Sequence, residues 1–311
     1  MDKDVPALLR AVIVVVAVLV VAAVVGWIAL ANGWYGGQAG SVSQGLPGQD
    51  PGSPMPPSTV RSTAPAPATG RVSASPSRHA GHARRAPLTG KVVVIDPGHQ
   101  LGNHDHLAEI DRLVDAGGIR KPCNTTGTAT SSGYPEATFN WDVAQDLRAL
   151  LRRQGALVRL TRHSNSDSAW GPCVDARGRF GNPGQPGPTA DVKLSIHADG
   201  SLSTGAHGFD VIAPGAIPGY TTGIAGPSLD LARTVRNRMV ASGFATSTYT
   251  GVRGIDVRRD LGTLNLSKRP VAMIECGNMR DPGDAALLTS SRGQRRIARA
   301  LADALERYLT R

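Results

Sequence analysis

Lys91-Val92-Val93-Val94-Ile95-Asp96-Pro97-Gly98-His99 is the stretch from which the fold is read. Its run of β-branched residues, 92–95, has the composition of a strand buried on both faces, and it stops at an Asp-Pro-Gly-His turn. An imidazole therefore stands just past the carboxyl end of a core strand, which is where open α/β sheets collect their chemistry. A solvated turn would look the same in isolation, but the pattern returns twice. Residues 191–196 (Asp-Val-Lys-Leu-Ser-Ile) lead into His197, and residues 270–274 (Pro-Val-Ala-Met-Ile) lead into Glu275.

Around these runs, strands and helices alternate from residue 88 onward. The spacing of Phe139, Val143, Leu147 and Leu150 predicts a helix over 136–154, with Arg152 and Arg153 in its last turn and Gly155 as its stop. A short strand follows at 156–160, and another at 208–212. A helix capped by Ser228 carries Ala232, Val235 and Met239 on one face and ends at Gly243. The C-terminal helix presents Ile297, Leu301, Leu305 and Tyr308 as a stripe. Residues 101–135 and 161–189 read as irregular loops. Such alternation defines an α/β class domain: three layers, with a mostly parallel twisted sheet and helices on both faces. Neither G-x-G-x-x-G nor a phosphate loop occurs, which sets nucleotide chemistry aside.

Residues 11–31 carry no charge, enough for one membrane-spanning helix with Trp27, Trp34 and Tyr35 at its outer interface. Ala29-Leu30-Ala31 also fits a signal-peptidase site, so residues 1–35 are either an anchor or a cleaved export signal. In both cases the remainder is exported. Residues 36–87, rich in Gly, Pro, Ser, Ala and Thr, read as a disordered linker. Its roughly 50 residues span on the order of 40 Å as a coil and about 160 Å as a polyproline helix. The unit 88–311, about 220 residues, buries about 70% of its unfolded surface and folds without help from a metal. A metal would therefore serve function.

The net charge of +10 implies attraction for polyanions, but aromatics make up only 4% of the chain and no basic run interleaves with them. Nucleic acid is not an expected partner. The cysteines are Cys123, Cys173 and Cys276, without any C-x-x-C pair, which argues against a cysteine zinc site. In an exported chain an odd count leaves one bridge and one free thiol. Cys123 and Cys173 both lie in Gly/Pro/Ser-rich loops, whereas Cys276 follows a buried strand, so the expected bridge is Cys123 with Cys173.

Parallel strands bring His99, His197 and Glu275 to one rim of the sheet. Glu136 joins them at the first turn of a helix, where the macrodipole favours a carboxylate. Two imidazoles and a carboxylate make a hydrolytic zinc site with an open fourth position, and a second carboxylate supplies a general base. Spacing does not decide between the glutamates, although a helix terminus adjusts to an ion more readily than a stiff strand. That favours Glu136 as ligand and Glu275 as base. Plainer roles exist for each: Glu136 as a helix-terminal charge, His197 as a hydrogen-bonded strand end, Glu275 as an ion-pair partner of Arg269 or Arg280. Asp96 and Asp199 are candidates for orienting the imidazoles. Cys276 reads as a small buried thiol rather than a nucleophile.

Asp96-Pro97-Gly98-His99, Ser195-Ile196-His197-Ala198-Asp199 and Ile274-Glu275-Cys276-Gly277-Asn278 together resemble the three signature blocks of the zinc-dependent N-acetylmuramoyl-L-alanine amidases. The resemblance covers about 91–309. It implies a phosphorylase/hydrolase-like fold, one zinc ion held by His99, Glu136 and His197, and Glu275 as catalytic acid and base. It further implies hydrolysis of the amide between N-acetylmuramic acid and L-alanine, with peptidoglycan or muropeptides as partner. The expected setting is the bacterial cell envelope outside the cytoplasm, membrane-anchored or secreted, with a monomeric catalytic domain. Two departures bear on loop shape and substrate range. Gln100-Leu101-Gly102-Asn103 follows the first block where glycines are common, and Met279 closes a block in which an aromatic commonly follows the glycine. The alternatives are a catalytically silent wall-binding or regulatory module of the same fold, and another zinc amidohydrolase or peptidase.

Overall fold

Strand β1 (Val92–Pro97) lies between β4 (Leu157–Leu160) and β5 (Val192–Asp199), parallel to both, in a computed structural model that describes residues 85–311. The apolar segment 11–31 and the linker up to residue 84 lie outside the described residues. Among the described residues, no helix is long and apolar enough to cross a membrane. Beyond β5 the sheet continues through β8 (Val271–Asn278), β6 (Asp210–Pro214) and β7 (Ile255–Arg258), giving the order β4-β1-β5-β8-β6-β7. All its pairs are parallel except β6 with β8. The expected mostly parallel sheet is therefore present, with one reversed neighbour.

Side-chain alternation along β5 places the chemistry. Val192, Leu194 and Ile196 enter the main core, where they meet Phe139, Val143 and Leu147 of α2 (Glu136–Arg153), Leu231, Val235 and Met239 of α4 (Ala225–Ala241), and Ile297, Leu301 and Leu305 of α7 (Ser291–Leu309). Lys193, Ser195 and His197 face the other way. That side has a thinner cover of short helices, α3 (Val174–Arg179) and α5 (Gly262–Asn265), with Leu264 packed on Ile212, Val271 and Met273. Polar side chains thus line the thin side of the sheet and lead to the rim.

Several loops contain more structure than their sequence announces. Residues 101–135 include α1 (Leu107–Ile110) and a hairpin of β2 (Leu113–Asp115) with β3 (Arg120–Pro122). Residues 161–189 include α3, and α6 (Pro282–Thr289) precedes α7. Ser228 is not the cap of its helix. α4 begins at Ala225, and the buried Ser228 hydroxyl accepts the Val271 N–H at 3.1 Å, tying the helix to β8. The bridge between Cys123 and Cys173 is formed, and Cys276 is free and buried.

Candidate metal centre

β1 ends at Pro97, and two residues later His99 adopts φ +56°, a left-handed conformation costly for a side chain with a Cβ. Its Nδ1 faces the Thr125 carbonyl at 3.1 Å, which leaves Nε2 to face Glu136 Oε2 at 3.2 Å. His197 Nδ1 stands 3.0 Å from the other carboxylate oxygen, Glu136 Oε1. The imidazole centroids are 4.9 Å apart and nearly perpendicular, at 84°. One ligand atom from each of His99, Glu136 and His197 thus falls within 4.8 Å of the others.

Close backbone approach makes this clustering possible. A Cβ on Gly98 would overlap the His197 ring, and one on Gly127 would come within 2.9 Å of Glu136 Oε2. The Glu136 carboxylate is held from several directions: the Thr128 N–H donates to Oε2 at 3.0 Å, and the Ala198 N–H to Oε1 at 3.3 Å. Asn140, one helical turn on, donates its Nδ2 to Glu136 Oε1 at 3.1 Å and to Gly98 O at 3.3 Å.

Burial alone would raise the Glu136 carboxyl. The charge and hydrogen bonds of His99 and His197 outweigh it and hold the group well below the usual carboxylate range. Burial lowers both imidazoles; Glu136 reverses this for His99, which is raised overall, but not for His197. Donors bound to one tetrahedral ion at 2.0–2.2 Å stand roughly 3.3–3.6 Å apart. The separations of 3.2 and 3.0 Å, one to each Glu136 oxygen, approach that spacing, and with all three donors within 4.8 Å the set is compatible with a single small divalent ion.

Glu275 lies beside His197 in the β5 and β8 register and shares its face of the sheet. Burial, and after it the charges of Glu136, Asp210 and Asp199, push its carboxyl well above the usual range. The arginine bearing on it is Arg258, not Arg269 or Arg280. A cavity of about 250 Å³, lined in part by Lys121, Val174, Leu261 and Met273, adjoins the cluster. A second, of about 230 Å³, is lined in part by Thr128, Asp199 and Gly200. His99, His197 and Glu275 line both.

Asp96 and Asp199 do not orient the imidazoles. Asp96 is occupied by Arg177, Ser195 and Thr161 at 2.6, 2.6 and 2.5 Å, and Asp199 accepts the Gly200 N–H at 2.7 Å. The Thr125 carbonyl orients His99 instead, and Asn140 holds the Glu136 carboxylate that faces both rings. Asn140 had a signal in the sequence, since it stands at i+4 from Glu136 on one helix face.

Fold and donor set together define an α/β protein whose His-Glu-His cluster, at the rim of its sheet, could hold one metal ion. The family model for N-acetylmuramoyl-L-alanine amidase, Amidase_3, matches residues 93–307, and the chain belongs to that family. It is 39% identical over 239 residues to the N-acetylmuramoyl-L-alanine amidase Rv3717 of Mycobacterium tuberculosis, covering 76% of this chain and 94% of that protein. The crystal structure of the N-acetylmuramyl-L-alanine amidase Ami1 from Mycobacterium smegmatis superimposes with a TM-score of 0.64 at 36% identity, over 71% of this chain and 98% of Ami1. The apo form of Ami1 from Mycobacterium abscessus matches equally, with a TM-score of 0.64, 36% identity, and 71% and 100% coverage.

Proposed function

We propose that the chain is a zinc-dependent hydrolase of the amide bond between N-acetylmuramic acid and L-alanine in peptidoglycan or muropeptides, acting outside the cytoplasm. The convergence of His99, Glu136 and His197 within 4.8 Å, in a member of the amidase family, is the observation that most supports it. These residues would hold the ion, and two imidazoles with one carboxylate suit zinc. When bound, zinc supplies Lewis acidity that polarises the scissile carbonyl and acidifies water at the site.

Glu275 takes the proton of the attacking water and returns it to the departing nitrogen of L-alanine as the C–N bond breaks. A carboxyl raised by burial and by neighbouring carboxylates is suited to carrying a proton between those two steps. The two cavities adjoining the cluster leave room for substrate beside the cleaved bond. Residues 1–35 serve as an anchor or a cleaved export signal and 36–87 as a linker, carrying the unit 88–311 out to the wall.

The test is incubation of the purified protein with muropeptides, with and without a chelator, followed by mass analysis. The expected products are a free lactyl carboxylate on the sugar and a stem peptide with a free L-alanine amine, lost on chelation. Cleavage at another bond, or cleavage indifferent to chelation, overturns the reading.

A further inference from the structure

Arg162 and Arg177, each 3% exposed, come from the segment between β4 and β5, and both direct donors to the turn that carries His99. Arg177 donates Nη1 to Pro97 O at 2.7 Å and Nη2 to His99 O at 2.6 Å. Arg162 donates Nε to Pro97 O at 3.1 Å and Nη2 to Gly98 O at 3.4 Å. Successive carbonyls 97, 98 and 99 are thus taken up by two buried cations.

Their remaining donors reach the surroundings of the same site. Arg162 Nη2 also donates to Ala137 O at 2.7 Å, one residue after Glu136. Arg177 donates to Gly171 O at 3.2 Å and Pro172 O at 2.9 Å, beside the bridged Cys173, and pairs with Asp96 at 2.6 Å. Burying two guanidiniums is costly, and apolar side chains of similar volume would serve packing as well. A left-handed histidine persists only where its surroundings over-determine it, and this double cradle does so.

We propose that Arg162 and Arg177 are positioning residues that set the affinity of the site for its metal ion. Arg177 locks His99 in its left-handed conformation, and Arg162 fixes the His99 turn against the helix that begins at Glu136. The proposal rests on His99, Glu136 and His197 being the ligands. Lysine cannot substitute, because one ammonium does not reproduce a rigid fork of five donors.

The test titrates the metal-depleted full chain with Zn²⁺ against a chromophoric chelator, well below the melting temperature. The visible spectrum of the Co²⁺ form records ligand geometry. Arg162→Lys and Arg177→Lys are expected to raise the Kd roughly 10- to 100-fold and to alter the Co²⁺ spectrum. Arg177→Met combined with Asp96→Asn repeats the test without leaving a lone buried charge. Leu305→Ala, in the core on the opposite face of the sheet, is expected to lower thermal stability without moving the Kd. A wild-type Kd in the arginine variants, or a Leu305→Ala Kd raised as far as theirs, overturns the proposal. His99→Ala separates it from the ligand assignment beneath it. If His99→Ala binds Zn²⁺ like the wild type, both fail; if it loses Zn²⁺ while the arginine variants keep it, only the positioning role fails.

Discussion

Asp210 on β6 stands directly across the antiparallel pair from Glu275 on β8. Burial, and then the charges of Asp256 and Asp199, raise Asp210 to about 6, against a hydrogen bond from Thr250 at 2.8 Å that pulls the other way. A carboxyl raised by folding opposes the folded state once it ionises. It costs nothing below its unfolded value near pH 4, and the cost grows as pH climbs through about 6. Two pKa units correspond to about 3 kcal/mol. Asp210→Asn is therefore expected to gain ~2–3 kcal/mol over the wild type in urea unfolding at pH 8, and almost nothing at pH 4. An equal difference at both pH values would remove this account.

Glu275→Gln keeps the shape of the side chain and removes its proton exchange. The expected result is kcat lower by roughly 10²- to 10⁴-fold with the zinc content unchanged. Turnover measured on muropeptides alongside metal analysis checks it, and undiminished turnover takes the base role away from Glu275.

Gly98 has no need of its conformational freedom, but a Cβ there would occupy the space of the His197 ring. Gly98→Ala is expected to displace that imidazole and strip the metal, while far-UV circular dichroism stays close to that of the wild type. Full zinc occupancy in the variant would mean that the ring yields easily.

The bridge between Cys123 and Cys173 spans 50 residues, a loop whose closure contributes roughly 4 kcal/mol in the chain-entropy model. For a domain of this size that corresponds to a fall in Tm of about 8–16 °C on replacing both cysteines with alanine. Calorimetry of the double variant decides it; a fall of a degree or two would show that the loops are already ordered by their other contacts. Those contacts include Asn124 donating to Pro172 O at 2.8 Å.

The three apolar runs at β1, β5 and β8 were legible because a strand buried on both faces needs no partner to look like one. His99, His197 and Glu275 followed from their places at the ends of those runs, and Glu136 from its place at a helix start. β7 was not legible: Ile255-Asp256-Val257-Arg258 lies on the sheet edge with Val257 exposed and lacks an apolar run. Ser228 misled because a serine ahead of an apolar stripe looks like a cap, yet its hydroxyl serves a contact 43 residues away. The arginine cradle is hidden for the same reason. Arg177 meets Asp96 across 81 residues and Arg162 meets Pro97 across 65, and local pattern carries no trace of such pairings.

Cys276 alternates to the opposite side of β8 from Glu275, 3% exposed, with its thiol pushed far up by burial. The other two cysteines are already joined. An oxidant reaching this domain therefore meets a buried thiol that burial holds towards its neutral form. A buried, neutral thiol is a poor partner for covalent dimers, scrambled bridges or a soft ion, so the odd cysteine is shielded in an oxidising setting.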